Sequence, residues 1–285
     1  MLKKTGFISF IILLIVAIAC DKIEAPYTTQ HNTPSQDTIK ILKKVLVEDY
    51  TGHLCVNCPD AHEVLHQLME AYPEQIIPIA FHVGNFAAPI SGSDYDDDFR
   101  TPEGGQLDTA FGCSDAGLPV GMVNRKKIDG SYLLSKDQWG TAISELLQTP
   151  QSINLKIKNS YESGSRKLTT GITVNYLSNL SNDSLYIVAY LTEDSIIAAQ
   201  KSSNGDIKKY VHMHMMRGSL DNSTWGKALS GSFTAGDSSE VNYTMTLKTN
   251  FKPEHCHVVV FVYNNNTSAD NYLEIYQADI ADVEN

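Results

Sequence analysis

The sequence predicts an exported chain with two folded parts, an α/β domain over residues 41–148 and an all-β antiparallel sandwich over 149–285. Three observations carry that prediction. A short apolar strand runs into a Cys-x-x-Cys and on into an amphipathic helix in "VLVEDYTGHLCVNCPDAHEVLHQL", residues 45–68. At Pro150 the hydrophobic period changes from that of helices to the period of two that marks half-buried strands. Ahead of both parts stands an apolar run, "FISFIILLIVAIA", residues 7–19, preceded by Lys3 and Lys4.

That leading segment has a positive n-region, a short h-region and small residues before a cleavage point, the pattern of a secretory signal over residues 1–19. "AIAC" resembles a bacterial lipobox, which makes Cys20 the expected lipidated residue; a plain signal peptide or an uncleaved anchor is the alternative. Residues 20–40 have the polar composition of a flexible tether. The formal net charge is −11, and removal of 1–19 takes two lysines and no acid, leaving −13. So acidic a chain is not expected to bind nucleic acid or anionic lipid surfaces, which need clustered Lys and Arg. The expected membrane attachment is the lipid itself.

The elements follow in order. "ILKKVLVED", 41–49, reads as a strand. Ala61, Val64, Leu65, Leu68, Met69 and Tyr72 keep helical spacing over 59–72, and Pro73 stops the helix. "QIIPIAFHV", 75–83, is the next strand, followed by a long polar excursion with a helical patch near 103–111. "LPVGMVNRK" gives a strand that begins at a proline, and "IDGSYLL" a turn and a short strand. Trp139, Ala142, Ile143, Leu146 and Leu147 form one face of a helix behind the N-cap Ser135. Beyond a boundary at 148–152, Ile153–Leu155–Ile157, Leu168–Ile172–Val174–Tyr176 and Val241–Tyr243–Met245–Leu247 alternate, and "SLYIVAYLTE", "CHVVVFVYNN" and "NYLEIYQADI" add further strands. Short strands separated by turn clusters such as "ESGS" indicate a sandwich.

Two thiols two residues apart can be a redox couple, part of a metal site, or a structural clip. Export implies an oxidising compartment in which disulfides persist. The metal alternative would use His53, Cys55, Cys58 and His62, a set suited to Zn²⁺ or Cu(I). Cys113 and Cys256 could pair with each other or each be a buried apolar side chain; the sequence does not choose, and burial is the favoured reading.

The order strand, CxxC, helix, strand, insertion, proline-led strand, short strand, helix is that of a thioredoxin fold. "VLVEDYTGHLCVNCP" resembles the thioredoxin active-site segment, and "GLPVGMVNR" resembles the loop that holds that fold's cis-proline, here Pro119. The resemblance spans about residues 41–148. Across nearly the whole mature chain, "VEDYTGHLCVNCP", "DFRTPEG", "LPVGMVNR" and "YVHMHMMRGSLDNSTWGKAL" resemble the outer-membrane lipoprotein family named after a 28-kDa outer membrane protein of Bacteroidetes-type bacteria. That resemblance implies a thioredoxin-like domain joined to an immunoglobulin-like sandwich, lipid-anchored at the outer membrane.

Cys55, beside a helix N-terminus where the dipole stabilises a thiolate, is the expected nucleophile, and Cys58 the resolving thiol. The resemblance implies Asp49 as proton relay and Pro119 as the residue against which substrate docks. Leu54 stands where thioredoxins carry Trp, and Pro59 where they often carry a basic residue. With Glu48, Asp49 and Asp60 nearby, these neighbours imply a mild redox couple rather than a strong oxidant. The expected partners are thiols or disulfides of other exported proteins, and no dissociable cofactor or resident metal is expected. The rival function is a cell-surface binding or adhesion module with a purely structural CxxC.

Other motifs read as structure. "VHMHMM", 211–216, is taken as an alternating strand with His212 and His214 on one face and Met213 and Met215 on the other, packing between the two parts. "SDYDDDFRTPE", 93–103, lacks the glycine of a calcium loop and reads as a solvated lip beside the site. "HCH", 255–257, opens a strand.

Overall fold

In the computed structural model, which describes residues 42–180 and 183–284, the strand ahead of the CxxC is β1, Val45–Thr51, buried at every position. The expected leader, the tether and lipidation site Cys20 lie outside the described residues. The expected strand start at 41 moves to Val45, because pairing begins where Val45 meets Ile76; before it, Lys43 and Lys44 reach to Tyr276 and Asp279 instead.

The rest of the order is α1 (Cys58–Ala71), β2 (Ile76–His82), α2 (Pro102–Phe111), α3 (Cys113–Ala116), β3 (Val120–Val123) and α4 (Lys136–Leu147), then β4 (Ile153–Glu162), β5 (Lys167–Tyr176), β6 (Leu185–Glu193), β7 (Ile196–Gln200), β8 (Ile207–His212), β9 (Met215–Ser219), β10 (Lys227–Ala228), β11 (Ser238–Thr246), β12 (Cys256–Asn264) and β13 (Ile275–Asp282). Local signals set the helix ends. Thr101 accepts a hydrogen bond from Gly104 N at the start of α2, and Ser135 with Gln138 closes a capping box on α4. "IDGSYLL" makes only isolated bridges, Ile128 to Ser131 and Gly121 to Leu134, rather than a strand.

The molecule is mostly β, with one mixed sheet and two antiparallel ones. The large sheet runs β13-β12-β6-β9-β2-β1-β3, and β10 pairs with β6. β1 is parallel to β2 and antiparallel to β3. β9 joins the halves: Met215 pairs with Ala80 of β2 and with Glu193 of β6. Strands from both sides of residues 148–152 therefore share one sheet. A three-stranded sheet, β11-β5-β4, packs over the β6–β12 region, and β7–β8 forms a separate ribbon.

Three cores hold these layers. Val45 and Val47 pack with Ala61 and Leu65 of α1 and with Trp139, Ile143 and Leu146 of α4. The opposite face of β1, Leu46 and Tyr50, joins Phe81, Leu107, Met122, Tyr190 and Phe261. The third core lies between β6–β12 and the three-stranded sheet, with Ile187, Leu191, Val258 and Val260 against Leu155, Ile172 and Val241. β6 and β12 thus contribute one face to each of two cores, which is why "YIVAYL" and "VVVFVY" are apolar at nearly every position. β4, β5 and β11 have a single core face and alternate.

Among the described residues no helix is long and apolar enough to cross a membrane. The alternation expected through "VHMHMM" breaks at His214, whose φ is +57°: β8 ends at His212 and β9 starts at Met215. His212 is buried and Met213 exposed, while Met215 and Met216 enter the sheet and its core.

Candidate functional site

Strand β1 delivers the chain to a tight turn at its end, and there Cys55 and Cys58 are joined in a disulfide. α1 begins at Cys58, with Asn57 as N-cap and Pro59 inside the first turn, where the missing N–H costs no helical bond. Cys55 accordingly sits before the helix, and Cys58 occupies its first position rather than lying one turn in. Val56 and Asn57, the residues between the sulfurs, are exposed. Cys55 itself is 2% exposed and Cys58 is fully buried.

The turn is held from three sides. Leu54 N donates to Phe86 O, and a side chain on Gly52 would place its Cβ 2.4 Å from that same oxygen, so the close approach requires glycine. Gln200, fully buried at the end of β7, donates through Nε2 to the carbonyls of Gly52 (3.2 Å) and Cys55 (2.9 Å). Lys201 N donates to His53 O. The acidic loop 93–103 reaches this turn through Tyr95 and Phe99, both buried against the His53 ring; of its carboxylates, Asp98 pairs with Arg100 and Asp94 with Lys208, while Glu103 is buried and accepts from Ser219 N.

Asp49 lies in β1 two residues before Thr51, on the α1 side of the sheet. Its carboxylate is 1% exposed and neither oxygen accepts a hydrogen bond of good geometry. The nearest titratable neighbour is His62, one turn along α1, with Nε2 3.3 Å from Asp49 Oδ2 and 3.0 Å from Thr51 Oγ1. On its other side His62 Nδ1 is 2.7 Å from the Tyr210 hydroxyl of β8. Pro119 heads β3, next to β1, and the Leu118–Pro119 peptide is cis.

Glu48 is not part of the acidic surroundings expected for Cys55. Successive residues of a strand point to opposite faces, and Glu48 turns away from Asp49 into the other core. There Arg125 binds it bidentately, Nε to Oε2 at 2.8 Å and Nη2 to Oε1 at 2.6 Å. The guanidinium is ringed by Phe111, Trp225, Phe261 and Tyr263. Burial by itself would depress the Arg125 pKa; the paired carboxylate reverses this and holds it above the ordinary value.

Sequence reasoning missed Gln200, Arg125 and the His62–Tyr210 link, because each joins residues at least 77 positions apart. The ligands of the metal alternative are otherwise engaged: the sulfurs are bonded to each other, His53 Nε2 meets Ala88 O, and His62 bonds Thr51 and Tyr210. Among the described residues no group of three His, Cys, Asp or Glu side chains is placed to hold a metal ion. Cys113 and Cys256 are free and buried. Burial pushes both thiols up, Cys256 to about 12.

A second group of titratable residues lies behind the turn. His82 and His212 are buried with rings 5.4 Å apart, and neither has a hydrogen bond of good geometry to a ring nitrogen. Desolvation lowers His82 well below the usual imidazole value and His212 to about 3.

Residues 105–282 match the model of the family described as outer membrane protein Omp28. That stretch excludes Cys55 and Cys58. Among solved structures, the chain is similar to HBP35 of Porphyromonas gingivalis, with 21% identity and a TM-score of 0.69 over 85% of this chain and 76% of that one. It is also similar to protein AGR_C_4864 from Agrobacterium tumefaciens, with 14% identity and a TM-score of 0.51 over 85% and 95% of the respective chains. At these identities the likeness is one of fold. No curated protein matches the chain.

Proposed function

The chain belongs to the Omp28 outer membrane protein family, and on that premise we propose that it is a lipid-anchored envelope protein whose Cys55–Cys58 couple exchanges thiols and disulfides with other exported proteins. In this reading residues 41–148 are a thioredoxin-like domain and 149–285 an immunoglobulin-like sandwich. The boundary falls between the end of α4 at Leu147 and the start of β4 at Ile153.

The observation that carries the reading is the disulfide's position. It closes the junction of β1 and α1, with β1 flanked by parallel β2 and antiparallel β3, an arrangement that supports the thioredoxin-like reading. Cys55 is the nucleophile and Cys58 the resolving thiol. Asp49 serves as the buried carboxylate that moves the resolving proton, and Pro119 as the docking residue. Energetics add support. A disulfide stabilises mainly by closing a loop in the unfolded chain, and this one spans a sequence separation of three, for which loop entropy supplies only about 2 kcal/mol. A clip so short adds little as a staple.

One observation favours the rival, a binding module with a static disulfide: Cys55 is buried and its carbonyl is tied to Gln200. The reduction potential separates the two. A couple poised between about −120 and −270 mV in thiol–disulfide buffers belongs to exchange catalysts, and a potential below about −300 mV marks a structural bond and ends the oxidoreductase reading.

A further inference from the structure

Between α1 and β8 lies a cavity of about 440 Å³, a size that suits a small organic ligand. Its wall begins at Pro59, the residue after Cys58, and is mostly apolar, with Leu65, Met69, Ala80 and Val211. The polar wall is made by Asp49, His62 and Tyr210, with Glu63 and four further histidines, His66, His82, His212 and His214. Two carboxylates, Asp49 and Glu63, line the cavity, and no lysine or arginine does. Such a lining disfavours an anion.

A carboxylate only accepts, and the buried Asp49 oxygens, 3.3 Å from His62 Nε2 at the nearest, have no well-formed hydrogen bond, so an acceptor without a donor lines the cavity. His62 Nε2 lies 3.0 Å from Thr51 Oγ1, and Nδ1 shares a hydrogen bond of 2.7 Å with the Tyr210 hydroxyl. Among the described residues no other hydrogen bond reaches the Tyr210 oxygen, which keeps an acceptor lone pair at the cavity wall whichever atom of that bond donates. Burial holds Tyr210 in the phenol form, raised to about 12. His82 and His212 lack good hydrogen bonds and, kept neutral by desolvation, add no opposing positive charge.

We propose that this cavity binds a compact amine with an apolar body, its ammonium group against Tyr210 and the Asp49–His62 pair and its body against Leu65, Met69 and Val211. The site shares Asp49 with the exchange reading, but amine binding is read on the disulfide-intact protein and does not require exchange activity.

Calorimetric titration of the disulfide-intact protein at pH 8 with benzylamine, benzyl alcohol and benzoate tests it. Benzylamine is expected to bind at least tenfold more tightly than benzyl alcohol, with benzoate weakest. Tyr210→Phe should cut the preference for the amine to below threefold. Val211→Trp, at a rim position already half exposed, should abolish binding while leaving the melting temperature near that of the parent. Equal affinity for the three probes, no binding of benzylamine, or unchanged benzylamine affinity in Val211→Trp overturns the proposal.

Discussion

The Glu48 carboxylate and the Arg125 guanidinium form a bidentate ion pair in which neither side chain has any exposure to solvent. Arg125 is carried there by two consecutive left-handed residues after β3, Asn124 and Arg125 itself, with φ of +47° and +48°. Asn124 Oδ1 meanwhile accepts from Leu46 N at 2.7 Å, which stitches the end of β3 back onto β1. The pair thus ties the strand that carries the disulfide to aromatic rings of β12.

Breaking this pair one-sidedly leaves a buried charge without its partner. Arg125→Met is expected to destabilise the protein by about 3–5 kcal/mol, whereas Glu48→Met combined with Arg125→Met should recover much of that loss. Urea unfolding of the two variants and the parent gives the comparison. Equal losses in the single and double variants would show that the partner charge is not the source of the cost.

Acid should weaken the fold through His82 and His212. Both have folded values below the unfolded one, so between about pH 6.5 and the folded values the unfolded chain binds more protons than the native one. Their contribution is fully present above about pH 6.5 and is lost as the pH falls toward about 3 for His212. The slope is up to about 1.4 kcal/mol per pH unit for each ring. Chemical denaturation between pH 5 and 7 should show a shallower slope in His212→Phe than in the parent.

His257 titrates in the opposite sense. Hydrogen bonding to Asp194, followed by the nearby charges of Asp194 and Asp282, raises it above its usual value despite burial. Its stabilisation is present below the unfolded value of about 6.5 and disappears as the pH rises through the raised folded one. His257→Gln should therefore cost more at pH 6 than at pH 9, as read from melting temperatures at the two values. A cost independent of pH would mean that the contact is only steric.

Gly52 has no space for a side chain, since a Cβ would stand 2.4 Å from the backbone oxygen of Phe86. Gly52→Ala should push the 85–87 turn off the CxxC loop and cost about 1–3 kcal/mol. Faster reduction of the Cys55–Cys58 bond by dithiothreitol should accompany that loss. Parent-like stability and reduction rate would show that the turn shifts freely.

Gln200→Ala removes the donor that holds the Gly52 and Cys55 carbonyls. Gly52 O keeps Cys55 N as a donor, so the Cys55 carbonyl is the one left without its partner, at a cost of about 1–3 kcal/mol. The disulfide of this variant should open more readily to a protein reductant than the parent's, as followed by mass spectrometry of alkylated thiols. If only stability falls and reducibility is unchanged, Gln200 is a packing residue and does not guard the bond.

The residues around β1 show how far the sequence reads. Short-range signals carried α1, α2 and α4: apolar spacing, Pro73 as a stop, Ser135 as a cap. They also marked the CxxC junction and the alternating strands β4, β5 and β11, which have one wet face. These are properties of a chain segment and its immediate neighbours, so periodicity and caps record them. Whether the sulfurs are open to a partner was not written there, because the turn that buries them is held by Gln200 and Phe86 from distant segments. Nor was the acidic character of the site legible: Glu48 and Asp49 are adjacent in sequence, yet the pleat sends one to Arg125 and the other to His62. The β7–β8 ribbon and the break at His214 escaped for the same reason. A charge or a strand end acquires its meaning from what packs against it, and that is settled by tertiary contacts among residues far apart in the chain.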